Sequence, residues 1–151
     1  MVVKDTASFN KEFRLELGKR LPSFELAYTT YGELNRGRSN VIWVCHAFSG
    51  SSDFTEWWPG LFGKDLLYDP EKYFIICVNM PGSCYGSTGP LSVNPATGKP
   101  YFHNFPELTN RDIVRAFIEV RKYLGIKKSI ASLGRRWVAS RHLNGALWNR
   151  E

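Results

Sequence analysis

Cysteine is scarce in this sequence of 151 residues: there are three, Cys45, Cys77 and Cys84, and none forms a Cys-x-x-Cys pair. An odd number without that pair argues against a disulfide scaffold and favours a reduced, cytoplasmic protein. Long apolar runs are absent too, and the first eleven residues lack the apolar core of a secretory signal peptide. We therefore expect a cytoplasmic protein that does not span a membrane.

Motifs for metals and nucleotides are also missing. The three cysteines and three histidines show no zinc-ligand spacing. The segment GSCYGSTG, residues 82–89, is rich in glycine, but it lacks the Gly-Lys-Ser/Thr of a phosphate loop and leads into prolines instead of a helix. These absences predict a protein without a bound metal, nucleotide or other cofactor.

The positive charge is concentrated near the end of the sequence. The net charge is +6, and residues 129–151 hold four arginines and one glutamate, which is half of that excess. A basic tail could contact phosphates without reading a base sequence. An accidental composition of a short segment is the simpler explanation, and we predict no nucleic-acid partner.

The apolar pattern predicts an α/β protein. Residues 13–32 alternate apolar and polar positions around a Gly-Lys-Arg-Leu-Pro turn, as in an antiparallel hairpin. The continuous apolar runs VIWVC, residues 41–45, and YFIICVNM, residues 73–80, are typical of strands buried on both faces. Between these runs, five apolar residues suggest a crossover helix, although Pro59 and Gly60 interrupt its pattern: Trp57, Trp58, Leu61, Phe62 and Leu66.

A loop and a helix follow. Residues 81–109 contain four glycines and five prolines, which predicts a long loop without regular structure. A helix should then begin with Thr109 or Asn110 as its cap, carry Asp112 in its first turn and end at Gly125. Apolar residues recur along it at steps of three and four and predict one buried face: Ile113, Val114, Phe117, Ile118 and Leu124.

The segment CHAFSGSS, residues 45–52, directly follows a predicted buried strand. Loops at the carboxyl ends of such strands form the active-site rim in open α/β sheets, and small residues let backbone N–H groups face a ligand, as an oxyanion hole requires. A tight structural turn explains the same residues equally well. We interpret His46 as a hydrogen-bonded loop histidine and not as a base paired with Cys45, because adjacent side chains on an extended backbone point to opposite faces.

Several unusual strings occur in the order and spacing of one family. They are LAYTTYGELN, VCHAFSGSSD, WW, YFIICVNMPGSCYGSTGPLSVNPATGKPY and FPELTNRDIVRAF. Between about residues 13 and 128 the sequence resembles homoserine O-acetyltransferases, which have the α/β-hydrolase fold. The resemblance implies a cytoplasmic enzyme of methionine biosynthesis, a homodimer at full length, that transfers an acetyl group from acetyl-CoA to L-homoserine through an acyl-serine.

The resemblance also implies positions for the site. The backbone N–H of Phe48 would contribute to the oxyanion hole. Residues that resemble the family's substrate pocket lie in the same two segments: Ala47, Ser49, Gly50, Gly82, Ser83, Cys84, Tyr85 and Gly86. A serine on a strand-to-helix elbow, a histidine base and an aspartate would complete the triad.

The sequence departs from the family after residue 128. A short strand and a Gly-x-Ser-x-Gly elbow should follow the helix, but residues 129–151 contain no such elbow, and we expect the strand and helix of the elbow to be missing. One shift of the reading frame offers an explanation: the codons of Trp137 and Val138 then force a glycine, and permitted codons yield the string GASMGG. We hypothesise that this tail is translated out of frame.

We therefore divide the chain into residues 1–128, the amino-terminal part of an acyltransferase domain, and residues 129–151, a tail foreign to the family. The predicted fold is an α/β-hydrolase-like sheet that stops before its last strands and lid. Without the triad, a polypeptide of this sequence should have little or no acetyltransferase activity. Three alternatives remain: a serine O-acyltransferase, a hydrolase of the same superfamily, and a non-catalytic fragment that binds a partner.

Overall fold

The two apolar runs lie at the centre of one mixed sheet in the computed structural model, which describes residues 2–47, 49–56 and 58–134, with the backbone alone for residues 131–134. Ten elements follow one another along these residues: β1 (Val2–Phe9), β2 (Phe13–Arg14), β3 (Arg20–Leu21), β4 (Phe24–Tyr31), β5 (Val41–Cys45), β6 (Phe74–Val78), β7 (Val93–Asn94), β8 (Lys99–Pro100), α1 (Asn110–Tyr123) and β9 (Ser129–Gly134).

The main sheet has five strands in the order β1-β4-β6-β5-β9. The pairs β1–β4 and β4–β6 are antiparallel, whereas β5 is parallel to both β6 and β9. All five residues of β5 and of β6 are buried, as expected of strands covered on both faces. The continuous apolar runs therefore predicted the centre of the sheet correctly.

The predicted hairpin over residues 13–32 is only partly correct. A short antiparallel pair joins Phe13 to Leu21 and Arg14 to Arg20, but β4 pairs with β1 and β6 instead of completing that hairpin. The alternation of apolar and polar residues does reflect a strand, because β4 has both buried and exposed positions. Its partner is the strand β1, which the sequence analysis did not recognise.

The crossover from β5 to β6 contains no α-helix among its described residues, so the predicted crossover helix is wrong. Pro59–Leu61 form a single turn of 3₁₀ helix, and Trp57 lies outside the described residues. Proline and glycine at consecutive positions prevent a longer helix because one removes an N–H donor and the other costs backbone entropy. Aromatic side chains from this segment, Phe54 and Tyr68 among them, nevertheless cover one face of the sheet.

Helix α1 confirms the prediction for residues 109–125. Thr109 is the N-cap, and its side chain and that of Asp112 form a reciprocal capping box. Gly125 follows the helix with φ +63°, the left-handed conformation that favours glycine at this place. Val114, Phe117 and Val120 are buried against the sheet.

The side chains of β5 alternate between two cores. Val41, Trp43 and Cys45 join the core beneath α1, whereas Ile42 and Val44 join the core beneath the β5–β6 crossover. This alternation follows from the period of two along a strand. Because both faces are covered, the carboxyl end of the sheet is where loops can form an open site.

The structure corrects the expectation that no strand follows α1. Strand β9 pairs in parallel with β5, from Val41 opposite Ser129 to Cys45 opposite Gly134, with an irregularity after the first pair. The expectation rested on the missing Gly-x-Ser-x-Gly string, but an elbow and a strand are separate signals. The backbone N–H and C=O groups along β5 need partners, and β9 supplies them.

No helix within residues 2–134, apart from the undescribed positions 48 and 57, has the length and apolar character needed to cross a membrane. The long loop of residues 81–109 includes the two-residue pair β7–β8 and a 3₁₀ turn at Phe102–Asn104. It is therefore more ordered than its glycine and proline content predicted.

Candidate active site

Two loops meet at the carboxyl ends of β5 and β6. We call residues 46–53 the β5 loop and residues 79–90 the β6 loop. The β5 loop begins with a tight turn, in which the N–H of Gly50 donates to the carbonyl of Ala47 over 2.8 Å. A Cβ atom on Gly50 would lie 3.3 Å from that carbonyl oxygen, which explains the small residue there.

His46 connects the two loops. It is 1% exposed, and its Nε2 accepts a hydrogen bond from the backbone N–H of Met80 over 3.1 Å. Its Nδ1 lies 2.7 Å from the carbonyl oxygen of Ala47, to which it donates. Burial lowers the pKa of the His46 imidazole, so the ring is neutral. Because both ring nitrogens are engaged, His46 is a structural histidine, as the sequence analysis predicted.

The β6 loop is fastened to strand β4 by hydroxyl groups. Ser87 Oγ accepts from the N–H of Ala27 and donates to the carbonyl of Asn79, over 3.1 and 2.7 Å. Thr88 Oγ1 accepts from the N–H of Glu25 over 2.7 Å. The glycines of this loop permit its close approach, since a Cβ on Gly86, where φ is +89°, would lie 3.1 Å from the Cβ of Ala27.

A buried polar network joins the loops beneath their surface. The side chain of Asn79, 4% exposed, accepts from the N–H of Ser52 over 2.6 Å and donates to the carbonyl of Tyr85 over 2.8 Å. Ser52 Oγ lies 3.1 Å from Asn79 Nδ2 and 2.8 Å from Thr29 Oγ1. Each buried polar group in this network therefore has a partner, as a rigid site requires.

The predicted site residues fall into two groups in the structure. Four of them line a pocket of about 400 Å³ in the β6 loop: Gly82, Ser83, Cys84 and Gly86. Ala47, Ser49 and Gly50 do not line it, but Tyr85 bridges the two groups, since its hydroxyl donates to the carbonyl of Ser49 over 3.3 Å. Phe48, the predicted oxyanion-hole residue, lies outside the described residues.

Among the described residues that line the pocket, none has a charged side chain, and Cys84 contributes an exposed thiol. Ser83 Oγ is buried and has no hydrogen-bond partner among the described residues. Within the described ranges, no group of three or more His, Cys, Asp or Glu side chains could hold a metal ion. An uncharged pocket with more apolar than polar lining suits a small uncharged group, and the substrate role of its residues stays a prediction.

An ion pair anchors the far end of the β5 loop. Asp53 accepts from Lys4 over 2.5 Å and from the hydroxyls of Tyr31 and Thr55 over 2.6 and 2.8 Å. Burial disfavours its charged form, but these hydrogen bonds outweigh that effect and hold the pKa of Asp53 below its usual value. Through Lys4, the edge strand β1 supports the site from two strands away.

The sequence analysis missed Asn79, Ser52 and Asp53. A signal existed for the first, because Asn79 is the first polar residue after a buried strand and therefore sits at the rim of the sheet. The contact between Lys4 and Asp53 joins residues far apart along the chain, and only the fold brings them together.

Comparison with known proteins identifies the relatives of this chain. Over 120 residues, 80% of this chain and 34% of the relative, it is 52% identical to the homoserine O-acetyltransferase of Cyclobacterium marinum. Over 121 residues, again 80% of this chain and 34% of the relative, it is 52% identical to that of Chlorobium luteolum. The chain is homologous to homoserine O-acetyltransferases. It spans about a third of the length of these curated relatives, and no protein-family model matches it.

Solved structures of related proteins share the fold of this chain. The homoserine O-acetyltransferase from Bacillus anthracis superimposes with a TM-score of 0.78 at 36% identity, over 89% of this chain and 40% of that one. An acetylester hydrolase from Corynebacterium glutamicum superimposes with a TM-score of 0.74 at 32% identity, over 87% of this chain and 36% of that one. The predicted α/β-hydrolase fold and the resemblance to homoserine O-acetyltransferases are thereby confirmed.

Proposed function

We propose that the protein to which these residues belong transfers an acetyl group from acetyl-CoA to the hydroxyl of L-homoserine, a step of methionine biosynthesis. A serine oxygen would attack the thioester carbonyl and release the thiol of coenzyme A, and the homoserine hydroxyl would then take the acetyl group from the serine. The observation that carries this proposal is the 52% identity to homoserine O-acetyltransferases over 120 residues.

The geometry of the two loops supports acyl transfer. The β5 loop follows the central strand β5, where backbone N–H groups can stabilise the oxyanion of a tetrahedral intermediate. The neutral pocket of the β6 loop lies beside it and suits an acetyl group. In this proposal Phe48 supplies the oxyanion-hole N–H, and the residues of the β6 loop surround the acyl group.

We further propose that the 151-residue polypeptide has no turnover of its own, because its sequence contains no Gly-x-Ser-x-Gly elbow. The test compares this polypeptide with the protein encoded after a one-base shift of the frame near codon 128. Thiol release from acetyl-CoA is followed with and without L-homoserine. We expect release only from the frame-shifted protein, only with homoserine, and none when its elbow serine is replaced by alanine.

Two results would contradict these proposals. Homoserine-dependent release by the 151-residue polypeptide would refute its inactivity. Absence of release from a folded frame-shifted protein would refute the transferase assignment. Sequencing the source DNA across codons 120–151 tests the frame directly, since an unchanged reading would eliminate the out-of-frame hypothesis.

Ester hydrolysis is a second candidate, favoured by the TM-score of 0.74 to an acetylester hydrolase at 32% identity. Both reactions use an acyl-serine and differ in whether water or an alcohol accepts the acyl group. Thiol release from acetyl-CoA at the same rate with and without homoserine, together with hydrolysis of p-nitrophenyl acetate, would favour this candidate over the transferase.

A further inference from the structure

We infer that Asn79 is a positioning residue, whose side-chain amide sets the position of the pocket in the β6 loop relative to the β5 loop. The role of these loops in catalysis rests on the proposed function, but the hydrogen bonds that fix their positions do not. Asn79 is the first residue after β6, and it belongs to neither the pocket lining nor the β5 loop. It acts on both loops through hydrogen bonds.

The donors and acceptors of Asn79 are divided between the two loops. In the β5 loop, its Oδ1 accepts from the N–H of Ser52 over 2.6 Å and its Nδ2 donates to Ser52 Oγ over 3.1 Å. Its Nδ2 donates over 2.8 Å to the carbonyl of Tyr85, which lies beside Cys84 and Gly86 of the pocket. An amide carries an acceptor and two donor hydrogens on the same carbon, so it can make these bonds at the same time.

The backbone of Asn79 fixes the amide in place. Its N–H donates to the carbonyl of Ala27 over 2.8 Å, and its carbonyl accepts from Ser87 Oγ over 2.7 Å. The residue is 4% exposed, so water cannot readily replace these partners. The two loops are therefore held at one separation by a group that cannot move independently of the sheet.

Two other contacts connect the loops. The N–H of Met80 donates to His46, which holds the first residue of the β5 loop. Tyr85 donates from its hydroxyl to Ser49, but Tyr85 is 41% exposed and the bond is 3.3 Å long. An exposed bond of that length contributes less than a buried one, because water competes for both groups. Asn79 is thus the principal connection between the carbonyl of Tyr85 and the β5 loop.

The substitution Asn79→Asp separates the two functions of the amide. An ionised carboxylate keeps an acceptor for the N–H of Ser52 and can accept from the hydroxyl of Ser52, but it has no donor for the carbonyl of Tyr85. Asn94→Asp is the matched control, because the side chain of Asn94 only accepts a hydrogen bond, from the N–H of Ala96 over 2.9 Å, and a carboxylate preserves it.

The measurement is amide hydrogen exchange by NMR in the full 151-residue chain. For Asn79→Asp we expect exchange at Gly82 and Ser83 to accelerate about tenfold, as for the loss of one buried hydrogen bond, while Phe117 in α1 stays unchanged. Asn94→Asp should leave all three amides unchanged. Equal acceleration at all three amides, or none at Gly82 and Ser83, would overturn the inference.

A measurement on the unsubstituted chain covers the case in which Asn79→Asp does not fold. If Asn79 is held as described, its side-chain NH₂ protons exchange much more slowly than those of Asn94. Equal rates for the two side chains would refute the inference. Neither hydrogen-exchange measurement depends on turnover. The inference can therefore fail while the proposed function stands, and the proposed function can fail in the thiol-release test while the inference stands.

Discussion

At the scale of single residues, two hydrogen bonds determine the protonation state of His46. The ring accepts from the N–H of Met80 and donates to Ala47, and protonation would place a hydrogen on the nitrogen that now accepts. Because burial lowers the folded-state pKa of His46, the unfolded chain takes up a proton first as pH falls. The contribution to stability is complete above the unfolded value of about 6.5 and is lost progressively below it.

We therefore predict that part of the pH dependence of stability disappears in His46→Gln. The free energy of unfolding, measured with urea at pH 7.5 and at pH 5.5, should differ less for this variant than for the parent chain. His103→Gln is the control, since His103 is exposed. An unchanged pH dependence in His46→Gln would contradict the prediction.

Gly125 provides a second prediction at this scale. Its φ is +63°, and the guanidinium of Arg38 packs against it while donating to the carbonyl of Leu124 over 2.6 Å. Gly125→Ala should reduce the free energy of unfolding by about 1–2 kcal/mol because an L-residue is strained in this conformation. Displacement of Arg38, whose Nη1 would lie 2.2 Å from the new Cβ, adds to that loss.

Gly60→Ala is the matched control for Gly125→Ala. No atom lies within 4 Å of the position that its Cβ would occupy, and its backbone is not left-handed. Urea unfolding of both variants decides the question. Equal losses for the two substitutions would show that the conformation of Gly125 is not what makes it necessary.

At the scale of elements, the start of α1 holds the small β2–β3 hairpin. The carboxylate of Asp112 is fully buried and accepts from the N–H groups of Thr109 and Glu16, each over 3.0 Å, and from Arg115. Burial raises its pKa, but these donors outweigh that effect and keep the pKa of Asp112 below its usual value. One side chain therefore caps a helix and anchors a neighbouring element.

We predict that Asp112→Ala destabilises the protein more than Thr109→Ala does. Loss of the threonine cap should cost about 1 kcal/mol. Removal of the buried carboxylate leaves several donors and Arg115 without their acceptor, which should cost roughly 3 kcal/mol. Thermal or urea unfolding measures both, with the exposed Glu107→Ala as control. If the two losses were equal, the contact with Glu16 would contribute nothing to stability.

The sequence predicted some elements better than others for physical reasons. Strands β5 and β6 and helix α1 were predictable because burial on two faces, helical periodicity and a capping box are local signals. Strand β1 was missed because Lys4, Asp5 and Thr6 are polar and exposed, and its pairing with β4 is not local. The crossover was misassigned because aromatic residues that cover a sheet do not need a helix to do so.

In the candidate site, too, features with a local sequence signal were predicted and features that depend on the fold were not. The sequence predicted both loops and the structural role of His46, since small residues that follow a buried strand form a local sequence pattern. It did not reveal that Asn79 joins Ser52 to Tyr85, because the hydrogen bond to Ser52 depends on the parallel register of β5 and β6. The location of a loop can be predicted from its local sequence. The residues that fix its position in space can be identified only from the fold.

At the scale of the whole molecule, β9 extends the main sheet beyond the division made after residue 128. The sequence analysis divided the chain after residue 128, yet residues 129–134 form the strand that covers β5. An uncovered β5 would present the backbone of five buried apolar residues at a sheet edge, which is a site for aggregation. Strand β9 therefore stabilises the sheet through its backbone pairing with β5, although its sequence does not resemble the family.

We predict that truncation after residue 134 and truncation after residue 128 have opposite outcomes. The 1–134 polypeptide keeps all five strands of the main sheet and should remain soluble and folded. The 1–128 polypeptide should aggregate or unfold, because the parallel ladder from Val41 to Cys45 loses its partner strand. Size-exclusion chromatography and circular dichroism of both polypeptides measure this difference. A soluble 1–128 polypeptide with an unchanged urea midpoint would show that β9 is dispensable and that the division after residue 128 is physical.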